Sequence, residues 1–164
     1  MDIARIVRHL FTTVWSVRRA FPRRSMNAIE RAIRDSESHH AGQIRFAVEH
    51  SLELPELLRG VSAHDRAIDA FSHLRVWDTE HNCGVLIYLL LADRDVEIVA
   101  DRGIHLKVGE AWEPICRRME TAFRAGQFEP GVLEGVRAVG EHLAAHFPRT
   151  AAAPNELPDK PVVL

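Results

Sequence analysis

The chain has 164 residues, enough for one domain with a real core, and 46% of them are hydrophobic. Its formal charge of −2 supplies no global basic field, so nucleic acid is not an expected partner. Cys83 and Cys116 form no CxxC pair and no secretory leader is visible, so the expected location is the cytoplasm, with membrane association through the N-terminus left open.

Charge is unevenly spread along the chain. Arg5, Arg8, Arg18, Arg19, Arg23, Arg24, Arg31 and Arg34 face only Asp2 and Glu30 in the first thirty-four residues. Within this arm, residues 2–21 read as one amphipathic helix: Ile3, Ile6, Val7, Leu10, Phe11, Val14 and Trp15 recur on one face, arginines flank them, and Pro22 stops the run. Such a stripe either packs on its own domain or a partner protein, or lies in the interface of an anionic membrane. Residues 25–40 form a second helix, with Ser25 as cap and Met26, Ile29, Ala32 and Ile33 as its inner side. Ile44, Phe46 and Val48 alternate in a first strand over 43–49, and residues 52–58 fold back as a short helical turn. Ser62-Ala63-His64-Asp65 resembles a capping box and starts a helix running to about Arg75. That helix joins the first strand to the next as a parallel crossover.

Residues 84–92 are an unbroken apolar run, the pattern of a strand covered on both faces and far too short to span a bilayer. Val96, Ile98 and Ala100 then alternate with Glu97 and Val99. With Asp93-Arg94 as a tight connection, the two strands form an antiparallel hairpin that sets Leu86 beside Asp101 and Gly84 beside Gly103. Residues 103–109 read as a turn or a short edge strand. Two helices follow, one over 110–125 ended by Gly126 and one from about 130 to 146 closed by Pro148. The fold class is therefore α/β: a three-layer α/β/α sandwich, with a small mixed sheet (a central buried strand plus its antiparallel hairpin partner) flanked by helices. The expected division is a basic amphipathic helix over 1–22, an α/β domain over 23–148 and a mobile tail over 149–164.

This hairpin sorts the acidic residues into two ends about 20–25 Å apart by strand rise. Asp78, Glu80, Asn82, Asp101 and Arg102 gather at one end. Their oxygens suit a hard cation such as Ca²⁺ or Mg²⁺, and Arg102 suits a phosphate, although a capped loop with a surface Asp–Arg pair has the same composition. At the other end are Glu49, His50, Asp93 and Asp95, where ligands of parallel sheets bind, but Asp93-Arg94-Asp95 also reads as a solvated turn. His142 and His146 lie four apart without a third ligand, a spacing that ten histidines produce by chance. His39-His40 reads as a solvated helix end and Cys83 as a buried thiol. The chain has no GxSxG, P-loop or GxGxxG.

Asn82-x-Gly84-Val85-Leu86-Ile87, Asp93-Arg94 and Asp101-Arg102-Gly103-Ile104 resemble the core of the TPM domain, and Trp112, Phe123-x-x-Gly126-x-Phe128 and Gly131 extend the likeness over about residues 40–148. The resemblance implies an α/β/α sandwich and, for some members, a divalent cation at the loop end with phosphatase activity. Carried over, Asn82, Gly84, Asp101 and Gly103 match the family pattern, with Asp101 the one carboxylate ligand among them. Joined by Asp78 from the same loop end, Asn82 and Asp101 would hold Ca²⁺ or Mg²⁺, while Asp101 and Arg102 would act in metal-assisted hydrolysis of a phosphate ester. The chain departs from the family in holding no acid over residues 23–29 and no transmembrane helix. The alternative is a non-catalytic module that docks on a protein partner or an anionic membrane surface through residues 2–21.

Overall fold

The computed structural model describes residues 2–149 and 153–164. A four-stranded mixed sheet of order β3-β2-β1-β4 forms the middle layer. Its strands are β1 (Gln43–Glu49), β2 (Gly84–Leu90), β3 (Asp95–Ala100) and β4 (Val162–Val163). β1 pairs in parallel with both β2 and β4, and β2 pairs antiparallel with β3. Every residue of β1 and β2 is buried, as expected for strands with neighbours on both edges and helices on both faces.

The helices are α1 (Ile3–Phe11), α2 (Val14–Ala20), α3 (Arg23–Glu37), α4 (Leu54–Arg59), α5 (Ala63–His73), α6 (Arg102–Val108), α7 (Trp112–Arg124) and α8 (Phe128–His146). Side-chain alternation along the strands divides the core in two. Ile44, Phe46, Val48, Val85, Ile87, Leu89 and Val96 pack with Val17, Ile29, Ile33, Ile104, Ile115, Met119, Phe123 and Val136, from α2, α3, α6, α7 and α8. On the opposite face Ala47, Leu86, Tyr88 and Leu90 pack with Leu57, Ala63, Ala67 and Ala70 of α4 and α5, and with Leu157. The sandwich expected from the sequence is the observed architecture.

Four local expectations are corrected. The hairpin loop has four residues, 91–94, because the amides of Leu91 and Ala92 donate to the carbonyls of Glu49 and His50 and so stay paired with β1. Leu86 therefore faces Val99, and the Asp101 amide donates to the Gly84 carbonyl at 2.8 Å. The shift is two residues, so every side chain keeps its face. Residues 102–108 are helical because Asp101 caps them, its carboxylate accepting from the Arg102 amide, and Leu106 points to solvent. The second helix begins at Arg23 behind Pro22, leaving Ser25 buried within its first turn and hydrogen-bonded to Glu129.

The tail is the fourth difference. Over 153–164 it is laid along β1: the Gln43 side chain accepts from the amides of Glu156 and Leu157, Arg45 donates to the carbonyls of Pro158 and Lys160, and the Leu164 amide donates to Val48. The part of the tail reading that falls on 150–152, like Met1, lies outside the described residues. Backbone hydrogen bonding to buried polar side chains and to β1, together with burial of Leu157, orders this segment.

Candidate functional site

At the loop end, the chain between α5 and β2 turns through Arg75 and Asn82, both with positive φ. The Asn82 carbonyl lies 2.5 Å from where a Cβ would stand on Gly103, so the two backbones touch and only glycine fits. Asn82 and Asp101 are thus brought to one place. Asp78 is engaged elsewhere: its carboxylate pairs with Arg75 Nη2 at 2.9 Å on the open surface. Asp101 Oδ1 caps α6, Oδ2 is buried with no partner among the described residues, and Arg102 beside it is exposed. Of the three expected ligands, Asp78, Asn82 and Asp101, the loop end therefore offers one unengaged carboxylate oxygen and an exposed amide, fewer donors than the six to eight oxygens that Ca²⁺ takes. Among the described residues, no three His, Cys, Asp or Glu side chains are grouped so as to hold a metal ion.

The carboxyl ends of β1 and β2 carry more chemistry. Glu49 is buried on the α5 face, where it accepts from the Tyr88 hydroxyl and from Arg66 Nη2 at 2.7 Å and Nε at 3.2 Å. Burial and the Glu49 charge drive the Tyr88 hydroxyl far above its ordinary range, so it stays a proton donor. The arginine neutralises a carboxylate the core could not otherwise hold.

Asp93, read from the sequence as part of a solvated turn, is a clasp. Its side chain is only 12% exposed and receives Arg5 Nε and Arg8 Nη2, both at 2.8 Å. His9 Nε2 lies 3.1 Å away, an ion-pair distance without hydrogen-bond alignment. His9 Nδ1 accepts from the Leu52 amide at 2.9 Å, which leaves the ring proton on Nε2, facing Asp93. Burial works to raise the Asp93 carboxyl, but hydrogen bonds from Arg8 and Arg5, together with the adjacent His9 ring, outweigh it and hold the group below the usual carboxylate range. Next to it, burial and the Glu120 and Glu97 charges push Asp95 up to about 6.

The clasp fixes which way the N-terminal helix faces. Arg5, Arg8 and His9 occupy one side at i, i+3 and i+4, and that polar side points inward. The apolar stripe consequently faces out: Phe11 is 80% exposed, Trp15 73%, Ile3 67% and Leu10 63%, with Val7 and Val14 also open. Only Ile6 reaches the core beside the α4–α5 face. The single helix expected over 2–21 is broken at Thr12-Thr13, and Thr13 restarts it by a capping box with Ser16. The signal for this mounting was present in the Arg5-x-x-Arg8-His9 spacing, but its partner lies 85 residues downstream of Arg8.

Other candidates resolve structurally. His40 is buried between Ser36 Oγ and the Gly42 carbonyl, and burial pulls it down to about 4. His142 packs edge-on against Trp112, while the His146 carbonyl accepts from Lys107. The Cys83 thiol is buried and raised to about 11 by desolvation. No helix among the described residues is long and apolar enough to cross a membrane.

Comparison with known proteins follows the fold. The chain is similar to the BA42 protein of the psychrophilic bacterium Bizionia argentinensis, known from NMR, with a TM-score of 0.76 and 31% identity over 86% of this chain and 93% of that one. It shares its fold with the N-terminal domain of a P. gingivalis protein, also solved by NMR, at a TM-score of 0.55 and 24% identity over 76% of this chain and 77% of that one. No curated protein matches it. The model of the TPM domain matches residues 19–142, which leaves α1 and most of α2 ahead of the matched part, and on that match the chain belongs to the TPM domain family.

Proposed function

We propose that this TPM domain is a non-catalytic interaction module that docks through α1 and α2. The observation that carries the reading is the inverted mounting of α1: three side chains clasp Asp93 while the apolar side stands in solvent. A short helix whose apolar face packed on its own domain would need no such clasp, and tertiary packing of that face is what ordinarily stabilises one. The test compares the full chain with a Leu10→Asp/Phe11→Asp variant in extract from the source cells. Both positions are exposed, so the variant keeps the wild-type amide spectrum. Wild type should elute in an assembled or sedimentable fraction and the variant at monomer mass; identical elution of the two refutes the reading.

A second reading is favoured by Asp101 Oδ2, a buried carboxylate oxygen without a partner among the described residues, beside the exposed Arg102. Here Asp78, Asn82 and Asp101 would hold Ca²⁺ or Mg²⁺ and Arg102 would steady a phosphate ester during hydrolysis. It requires Asp78 to leave Arg75. Amide NMR titration with Ca²⁺ and Mg²⁺ decides: saturable shifts confined to 78–84 and 101–104, lost in Asp101→Ala, support it. Shifts scattered over surface carboxylates defeat it.

A further inference from the structure

We infer that the surface met by α1 and α2 is an anionic lipid membrane, an inference that rests on the docking reading and names its partner. The exposed ridge of Leu10, Phe11, Val14 and Trp15 is bracketed by cations on both flanks. On one side, a groove of about 750 Å³ is lined by Val14, Met26, Val163, Arg18, Arg23 and Lys160. Glu30 also lines it, but its charge is taken up by Arg34 at 3.0 Å. On the other side, a cleft of about 720 Å³ is lined by Arg8, Arg19, Arg94 and Phe128, with the acid Asp93 already committed to Arg5 and Arg8.

Clustering of unpaired arginines sets this region apart, since Arg59, Arg94, Arg102 and Arg149 also meet no carboxylate among the described residues but lie singly along the chain. Arg66, Arg75, Arg117, Arg124 and Arg137 of the body each meet a carboxylate. Arg18, Arg19, Arg23, Arg24 and Arg31, all exposed, meet none among the described residues. A run of unpaired arginines beside exposed aromatics is complementary to phosphate headgroups over acyl chains. Arg18 lies over the Trp15 ring, 4.9 Å from its centroid, so both are placed for the same depth, where an indole keeps its polar edge wet.

Two other occupants fit less well. A second copy pairing face to face would bring two uncompensated basic arms together. A rigid protein partner would need a separate socket for each of several side chains that project singly, whereas lipid deforms around them. α1 has nine residues, about 14 Å of helix, and cannot span a hydrocarbon core of about 30 Å, so it lies in the plane of the interface.

The experiment uses the full chain with vesicles of phosphatidylcholine alone or with 30 mol % phosphatidylglycerol, read by co-sedimentation and, in a Trp77→Phe background that leaves Trp15 as the exposed indole, by quenching with brominated acyl chains. Binding should occur on the anionic vesicles, weaken about fivefold for each of Arg18→Gln and Arg19→Gln, and weaken at least tenfold for Phe11→Asp/Trp15→Asp. It should also release as salt rises toward 1 M. Equal binding to both vesicle types, anionic binding untouched by Phe11→Asp/Trp15→Asp, or binding without quenching each overturns the inference. If no vesicle is bound but the Leu10/Phe11-dependent assembly persists in membrane-free extract, the docking reading stands and the membrane is wrong. If sedimentation equilibrium then shows a dimer, the partner is a second copy. Loss of both results ends both readings.

Discussion

Replacing Asp93 by alanine removes the one acceptor shared by Arg5, Arg8 and His9, and the cost follows from how deeply each donor is placed. Arg8 has a side chain 53% exposed and contributes only a few tenths of a kcal/mol, as surface pairs do. Arg5 is 23% exposed and donates to a charged acceptor, a bond of about 1.5–2 kcal/mol at that depth. His9 has a fully buried side chain whose Nε2 lies near Asp93 without hydrogen-bond alignment, so losing that neighbour costs about 0.5–1 kcal/mol. Together this is about 2–3 kcal/mol, and it falls on one nine-residue helix with little else to hold it. Ile6 and the Arg5 bond to the Val61 carbonyl at 3.1 Å remain, along with the His9 bond to Leu52. The helix should therefore detach locally while the sheet stays folded. Hydrogen exchange is the assay: protection of residues 3–11 should drop by about two orders of magnitude, with β1 and β2 unchanged. Asp93→Asn, which keeps shape and an acceptor, should fall between. Wild-type protection of α1 in Asp93→Ala, or an equal loss across β1 and β2, would refute the clasp.

Three further outcomes test the core. Glu37 accepts from the Ile44 amide at 2.7 Å, and burial pushes its carboxyl up to about 8. The folded chain thus binds a proton that the unfolded chain has released above its ordinary pKa of 4.5. Stability should then fall as pH rises from there towards 8, at up to about 1.4 kcal/mol per pH unit, and Glu37→Gln should flatten that slope in urea titrations; an unchanged slope would locate the effect elsewhere. Gly84→Ala places a Cβ 2.0 Å from the Val76 carbonyl oxygen, a backbone atom that cannot move aside. It should destabilise by about 3 kcal/mol, the top of the overpacking range, and a loss below 1 kcal/mol would contradict the close approach. Tyr88→Phe removes the hydroxyl given to Glu49 and should cost about 1.5–3 kcal/mol by chemical denaturation, whereas a neutral outcome would mean Arg66 alone satisfies that carboxylate.

The interior was the most legible part of the sequence. Residues 84–92 announced a buried strand because no polar residue interrupts them, and Ser62 with Asp65 announced a helix start that the structure reproduces bond for bond. Legibility failed wherever one partner is remote. An apolar stripe on residues 3–15 states that the helix is amphipathic but not which side is held inward, since that depends on a single carboxylate beyond β2. A tail with prolines and few apolar residues reads as unanchored, because the groups that anchor it, Gln43 and Arg45, are polar side chains on a strand more than a hundred residues earlier. At the loop end, composition brought Asp78, Asn82 and Asp101 together, while a local ion pair with Arg75 takes Asp78 away.

The last strand has a consequence for the order of assembly. β1 gains its second neighbour only when Val162 and Val163 arrive, since Ala47 pairs with Val162 across most of the chain. Until then, during synthesis or after a cut near residue 153, β1 is an open edge with Arg45 and Gln43 stripped of the carbonyls and amides that satisfy them. Such an edge is a template for any passing strand, another nascent copy included. Residues 153–164 therefore act as a built-in cover for the β1 edge, so that β3, on the far side of the sheet, is the long strand left with one neighbour.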